Sequence, residues 1–380
     1  MKTIEELRQQ IDKIDDGISD LYIERIKCAE EIGKIKAQSN VGVSVPDREK
    51  QIINRITKKA DDEVKVYLKQ LYENIFFQSK AYQSKFTVAN SKIAQSIREC
   101  TQNQAKDLPV SATVACQGIN GAYSGIAAER LFQISDITYF KNFDAVFSAV
   151  DKGLCEYGVL PIENSTAGSV SQVYDLMKKH NFYIVKSIKL QVRHVLASKN
   201  DIDLKKIKTI YSHEQALQQC KEFIKKIGAE TVAMENTAVS AKAVADMNDD
   251  TVATICSEEC AKLYGLKILE KGVQDSSNNY TRFICISKTM QILKGSDKIS
   301  VVTSLDNKPG SLYRTLSRFS AQGLNLTKLE SRPIPNCSFE FMFYFDFEGE
   351  TDNEGVINLI ADLSEGSDKF VFLGCYKEII

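Results

Sequence analysis

Between residues 3 and 37, apolar residues recur at steps of three and four: Ile4, Leu7, Ile11, Ile14, Ile18, Leu21, Cys28, Ile32 and Ile35. This spacing predicts one face of a long helix, and the seam position between Leu21 and Cys28 is Arg25. A charge in an apolar seam is costly unless paired, so Arg25 is either a register device or opens onto an anionic ligand. Lys36 follows about 20° further round the helix and about 16 Å along it, so the two cations could close on one small dianion. Arg8 precedes Arg25 by about 25 Å of helix and can serve the same ligand only from a second subunit. Arg48 and Glu49 stand at the entrance of a second helix after Pro46. Ser79 and Gln83, at i and i+4, share one face of a third, a pattern that a solvated helix surface also produces.

A different chemistry is written between residues 110 and 290. Strand-like runs there end in small and hydroxyl residues that open helices: ACQGINGAYSGIAA, VLPIENSTAGSVSQ, TIYSHEQALQQC, MENTAVSAKAV and ATICSEECAK. Singly each is an ordinary N-cap; several converging at strand ends would make a cleft for carboxylates. GINGAYS matches neither the dinucleotide fingerprint nor the Walker loop, which argues against a nucleotide site.

The elements that must hold these residues fall into three segments. Residues 1–90 are nearly devoid of Gly and Pro and predict an all-α domain, residues 91–109 read as a helix tail plus linker, and residues 110–290 predict a two-lobed α/β domain. Residues 297–380 follow the order strand, helix, strand, strand, helix, strand, which predicts a ferredoxin-like α+β domain. The first helix would be roughly 50 Å long, and its seam needs partners along that length, so a homodimer or higher homo-oligomer is expected.

Composition narrows the function classes. The 380 residues carry 49 Lys+Arg against 50 Asp+Glu, so no charge excess points to nucleic acid or acidic lipid. No apolar run reaches the roughly 18 residues of a membrane span, and the start MKTIEELRQQ is not a signal peptide, so a cytoplasmic location is expected. With 10 scattered Cys and 3 His, reduced thiols are expected rather than a metal cluster, with Cys256 and Cys260 on one helix face.

Three sets of motifs carry family resemblances. ELRQQIDKID, YIERIKCAEEIGKIK and PDREKQII resemble the intertwined, all-helical chorismate mutase. This resemblance implies carboxylate contacts from Arg8 of the other chain, Arg25, Arg48 and Ser79, ether-oxygen contacts from Lys36 and Gln83, and hydroxyl recognition by Glu49. Val45 stands where some relatives are acidic. PIENSTAGSV, YSHEQA and NNYTRF resemble prephenate dehydratase, whose two lobes look like a periplasmic binding protein. Thr281 is then the implied catalytic hydroxyl, assisted by Glu163 or His213, with Asn164, Ser165, Thr166, Ser212, Asn236, Thr237, Ser240, Arg282 and Phe283 as implied cleft residues. Ile119 and Ala122 replace the Pro and first hydroxyl of that family's first loop. DNKPGSLYRTL and LESRP resemble the ACT regulatory domain, implying phenylalanine contacts from Gly310, Ser311, Leu312, Glu330, Ser331 and Arg332.

Taken in order, the segments resemble the bifunctional chorismate mutase/prephenate dehydratase family. That implies rearrangement of chorismate to prephenate, conversion of prephenate to phenylpyruvate, allosteric inhibition by phenylalanine, and no metal or organic cofactor. The competing reading is a binding module in which an inert helical stalk carries a solute cleft and an amino-acid sensor. An inert stalk gives no reason for Arg25 in the seam with Lys36 aligned to it.

Overall fold

A computed structural model describes residues 2–39, 46–87, 91–333 and 341–380; Val45 lies outside them. The chain opens with helices α1 (Ile4–Ser39), α2 (Pro46–Thr57), α3 (Asp62–Thr87) and α4 (Lys92–Gln102). There follow β1 (Ser111–Gln117), α5 (Tyr123–Leu131), β2 (Ile134–Phe140), α6 (Phe143–Asp151), β3 (Tyr157–Asn164), β4 (Gly168–Ser169), α7 (Ser171–His180) and β5 (Tyr183–Gln191). Next come β6 (Val195–Ser198), β7 (Thr209–His213), α8 (Glu214–Gln219), α9 (Lys221–Ile227), β8 (Glu230–Met234), α10 (Thr237–Asp246), β9 (Val252–Cys256), α11 (Glu258–Leu263), β10 (Lys267–Lys271) and β11 (Tyr280–Ser287). The last segment is β12 (Lys298–Ser304), α12 (Ser311–Ala321), β13 (Leu326–Pro333), β14 (Phe341–Glu348), α13 (Glu354–Glu365) and β15 (Phe370–Ile379).

These elements form two compact units, Met1–Gln102 with Val302–Phe370 and Asn103–Val301 with Val371–Ile380. The division runs through β12 and β15, and its first break, after Gln102, falls in the segment 91–109. In unit 1, α3 packs on α1, α2 and α13. Gly33 of α1 faces α3 so closely that an added Cβ would sit 3.0 Å from the Gln83 Cα, which explains a glycine inside a helix. The seam residues Ile4, Leu7, Ile11, Ile14, Ile18 and Leu21 are 45–72% exposed. β13 and β14 pair antiparallel, with Glu330 opposite Tyr344.

The expected helix tail is a helix of its own. α4 buries Ala94 and Ile97, packs on α13, and is fixed there by Arg98, whose guanidinium donates to Glu354 at 2.8 and 2.9 Å. Its apolar stripe is short, and α13 supplies the surface that makes it sufficient.

Unit 2 contains two sheets. The first runs β15-β5-β11-β3-β1-β2; β1 is parallel to β2 and β3, while β11 is antiparallel to β3 and β5. The second runs β10-β6-β9-β7-β8. Each sheet has its own apolar core, with Val114, Val159, Ile188 and Phe283 in one and Val195, Ala241 and Cys260 in another. Cys256 ends β9 and Cys260 lies in α11, so the pair spans a strand–helix turn and not one helix face. Among the described residues, no helix is long and apolar enough to cross a membrane.

Candidate active sites

In unit 1 the α1–α3 contact brings part of the cation set together. Arg25 donates to the Ser79 hydroxyl, and its guanidinium lies 5.7 Å from the centre of the Phe76 ring. Ser79 and Gln83 are buried, one turn apart on α3, and the Gln83 side-chain oxygen has no hydrogen-bond partner. A buried amide without a partner is a position where a ligand can restore the lost hydrogen bond. Arg25 is therefore neither a solvated surface charge nor a buried ion pair: it is held by a neutral hydroxyl and an aromatic face, with its charge uncompensated by these contacts.

The other mutase-segment residues make contacts of their own. Glu49 pairs with Lys80 at 2.9 Å, Arg48 donates to Gln51 at 3.4 Å, and exposed Arg8 lies 3.7 Å from Glu5. Lys36, near the end of α1, is half-buried.

The unit 2 cavity, about 360 Å3, is lined by strand ends and helix starts. Asn164, His213, Asn236, Thr237, Thr281 and Phe283 reach it, as does Ala122. Ala122 precedes α5 and provides no side-chain cap, whereas the Asn236 side chain caps α10 by accepting from the Val239 N–H at 2.8 Å. His213 caps α8, its Nδ1 accepting from the Gln215 N–H.

At the cavity wall the chemistry concentrates on one amide and one hydroxyl. The Asn164 side-chain oxygen accepts from the backbone N–H groups of Thr166 and Ala167, at 3.0 and 2.9 Å. This fixes the orientation of the amide, because a flipped group would turn donors onto donors. The Asn164 Nδ2 therefore donates to Thr281 Oγ1 at 2.9 Å and to Asn279 Oδ1 at 2.8 Å. Since the Thr281 oxygen accepts here, its own proton remains to be donated elsewhere. The register supports the contact, with Thr281 directly opposite Asn164 across β11 and β3.

The remaining implied cleft residues support this wall. Ser165 Oγ accepts from the Tyr280 N–H at 2.9 Å and donates to the Asn278 carbonyl at 3.1 Å. Buried Ser212 donates to the Ile255 carbonyl, and buried Ser240 shares a hydrogen bond with Thr254. Glu163 and Arg282 pair with each other at 3.1 Å, and neither lines the cavity.

Several cavity residues escape motif reasoning. Asn279 donates to Gln219 Oε1 at 3.0 Å, and His194 Nε2 lies 3.1 Å from the same oxygen. Burial pushes the His194 imidazole below its ordinary pKa, against an upward pull from Gln219. Gln215 also lines the cavity and approaches Asn164. Asn279 was findable two residues before Thr281, at the entry to β11, and Gln219 as the i+4 neighbour of Gln215. His194 carries no such signal.

In the C-terminal segment, Gly310 has φ 79° and precedes α12, whose first residue is Ser311. Leu312 follows within that helix. Glu330, Ser331 and Arg332 lie on β13, where Arg332 pairs with Glu330 at 2.6 Å.

Comparison with known proteins gives these sites their class. Residues 7–84 match the chorismate mutase type II family model, and residues 114–291 match that of prephenate dehydratase. The chain thus carries a chorismate mutase and a prephenate dehydratase domain, an isomerase and a carbon–oxygen lyase activity. A bifunctional chorismate mutase/prephenate dehydratase of Aquifex aeolicus is 30% identical over 100% of this chain and 99% of its own. Arogenate dehydratase/prephenate dehydratase 2 of Arabidopsis thaliana is 38% identical over 69% of this chain and 72% of its own. The crystal structure of an Arthrobacter aurescens prephenate dehydratase in complex with L-Phe superposes with a TM-score of 0.64 at 27% identity, covering 70% of this chain and 90% of that one. The chain belongs to the bifunctional chorismate mutase/prephenate dehydratase family, whose two activities serve aromatic amino acid biosynthesis.

Proposed function

We propose that chorismate binds at the Arg25–Ser79–Gln83 corner, that prephenate binds in the unit 2 cavity with Thr281 at its leaving hydroxyl, and that phenylalanine inhibits through the C-terminal segment. The observation that carries this reading is the locked Asn164 amide, which occupies the Thr281 oxygen as an acceptor and directs the hydroxyl proton outward. Loss of carbon dioxide from prephenate breaks a carbon–carbon bond, and its electron pair enters the ring as the hydroxide departs. A hydrogen bond donated by Thr281 to that oxygen stabilises the charge growing on it. The substrate carboxylates sit near the starts of α5 and α10, where the positive ends of the helices favour anions. Asn236 and Thr237 shape the α10 end of the cavity; His213 and Phe283 form further parts of its lining. Ser165, Thr166, Ser212 and Ser240 act by holding the wall, and Glu163 and Arg282 by supporting it.

The mutase reaction needs no nucleophile. The site holds a folded conformer and stabilises negative charge on the ether oxygen, so Lys36 and Gln83 are placed at that oxygen and Arg25, Arg48 and Ser79 at the carboxylates. Glu49 recognises the hydroxyl. Arg8 comes from a second copy, whose α1 also covers the exposed seam, making the protein a homodimer or higher oligomer. The strand–helix order of residues 298–379 supports a ferredoxin-like ACT domain, with Gly310, Ser311, Leu312, Glu330, Ser331 and Arg332 at the effector. The bound L-Phe of the Arthrobacter aurescens relative supports phenylalanine as that ligand. Feedback then requires phenylalanine to favour a state with lower activity.

The test of the Thr281 role is steady-state kinetics with prephenate. Thr281→Ala is expected to lower kcat about a hundredfold or more, while Thr281→Ser retains most activity. A Thr281→Ala enzyme with raised KM and unchanged kcat contradicts the role.

A further inference from the structure

Thr281 and Phe283 line the cavity, and Arg282, between them on β11, turns to the opposite face of the sheet. It is only 5% exposed there. Its guanidinium meets Glu163 at 3.1 Å on one side and Glu378 at 3.8 Å on the other. Glu378 belongs to β15 and also pairs with Lys189 at 2.7 Å and Lys298 at 2.9 Å, while the Ser187 hydroxyl lies 3.3 Å away as a donor. The strand register explains the convergence, since Glu378 lies beside Ser187 on β5 and Lys189 lies opposite Arg282 on β11. Nearby, β15 runs so close to β5 that any Cβ at Gly374 would collide with the Ile184 carbonyl oxygen. Two carboxylates thus face three cations behind β11, with Arg282, Glu378 and Lys298 shielded and Lys189 and Glu163 at the cluster's exposed edges.

We propose that Glu378 is a positioning residue of the dehydratase reaction: from β15 it holds Arg282 behind β11 and so keeps Thr281 and Phe283 turned into the cavity. The inference rests on the reading of that cavity as the prephenate site. Without Glu378, the shielded Lys298 and Arg282 lose the anion between them and repel one another, and Arg282 is drawn toward Glu163. The strand segment carrying Thr281 moves with it. Burial pushes the Glu378 carboxyl up, but Lys189 and Lys298 hold it below its ordinary range, so it stays ionised at neutral pH.

The test compares Glu378→Gln, Thr281→Ala and the double variant Lys298→Met/Glu378→Gln, which removes one cation together with the anion. Dehydratase kcat and KM for prephenate are measured beside melting temperature, with kcat corrected for the folded fraction. Glu378→Gln is expected to lower kcat at least about tenfold, within the roughly hundredfold that a misplacement of about 1 Å can cause, with KM changed less than about threefold. The double variant is expected to regain melting temperature but keep the low kcat. Wild-type kcat in Glu378→Gln, or recovery of kcat along with melting temperature in the double variant, overturns the positioning role. Thr281→Ala separates the two readings: its unchanged kcat would overturn the site assignment itself, whereas a loss there beside an active Glu378→Gln overturns only the role of Glu378.

Discussion

Arg25 is visible from sequence because it breaks an apolar repeat, and the α1–α3 contact explains how the break is tolerated: Ser79 accepts from the guanidinium and Phe76 lies beside it. Arg25→Leu should therefore cost little stability yet lower mutase kcat/KM at least about a hundredfold, measured by chorismate disappearance. The Asn164 amide is harder to read, since it gains its meaning from two backbone N–H groups that fix its orientation. His194 was legible only as one of three histidines; its burial beside Gln219 appears once the residue before β6 meets the end of α8. Its depressed pKa has a stability consequence. Below about pH 6.5 the unfolded chain takes up a proton that folded His194 refuses, so stability falls as pH falls through that region. Replacing His194 with Gln should flatten this acid limb, by at most about 1.4 kcal/mol per pH unit, in urea midpoints compared between pH 7.5 and 5.5.

At the scale of elements, α1, α2 and α3 were legible because their apolar spacing and the Pro46 start are local signals. α4 was not. Its buried stripe needs α13, which follows it by some 250 residues and reaches it through Arg98 and Glu354. Gly33 shows the converse case, a local defect in helix propensity explained by a tertiary approach. Gly33→Val should destabilise unit 1 by about 1–3 kcal/mol and lower mutase activity with it, because the added atoms press on Gln83 and Phe86. The exposed α1 seam makes a separate prediction. Ile11→Asp with Ile14→Asp should shift the protein toward monomer in light scattering and reduce mutase turnover, since Arg8 would no longer be delivered by a second copy.

The whole molecule joins two chemistries along one chain, with the chorismate mutase segment in one compact unit and the prephenate dehydratase segment in the other. The order of chemistries was legible from motifs spread along the chain. Its partition was less so, because β15 closes the C-terminal segment yet places Glu378 in the sheet that carries Thr281. Strand pairing over such separation depends on register and buried charge, which no local pattern encodes. The most direct test of the account is an NMR time course of chorismate with wild-type and Thr281→Ala protein, each with and without phenylalanine. Wild type should form phenylpyruvate, slowed by phenylalanine, while Thr281→Ala should consume chorismate at the wild-type rate and accumulate prephenate. Phenylpyruvate formed equally fast by Thr281→Ala, after correction for spontaneous prephenate breakdown, would contradict the central claim that the unit 2 cavity is the dehydratase site.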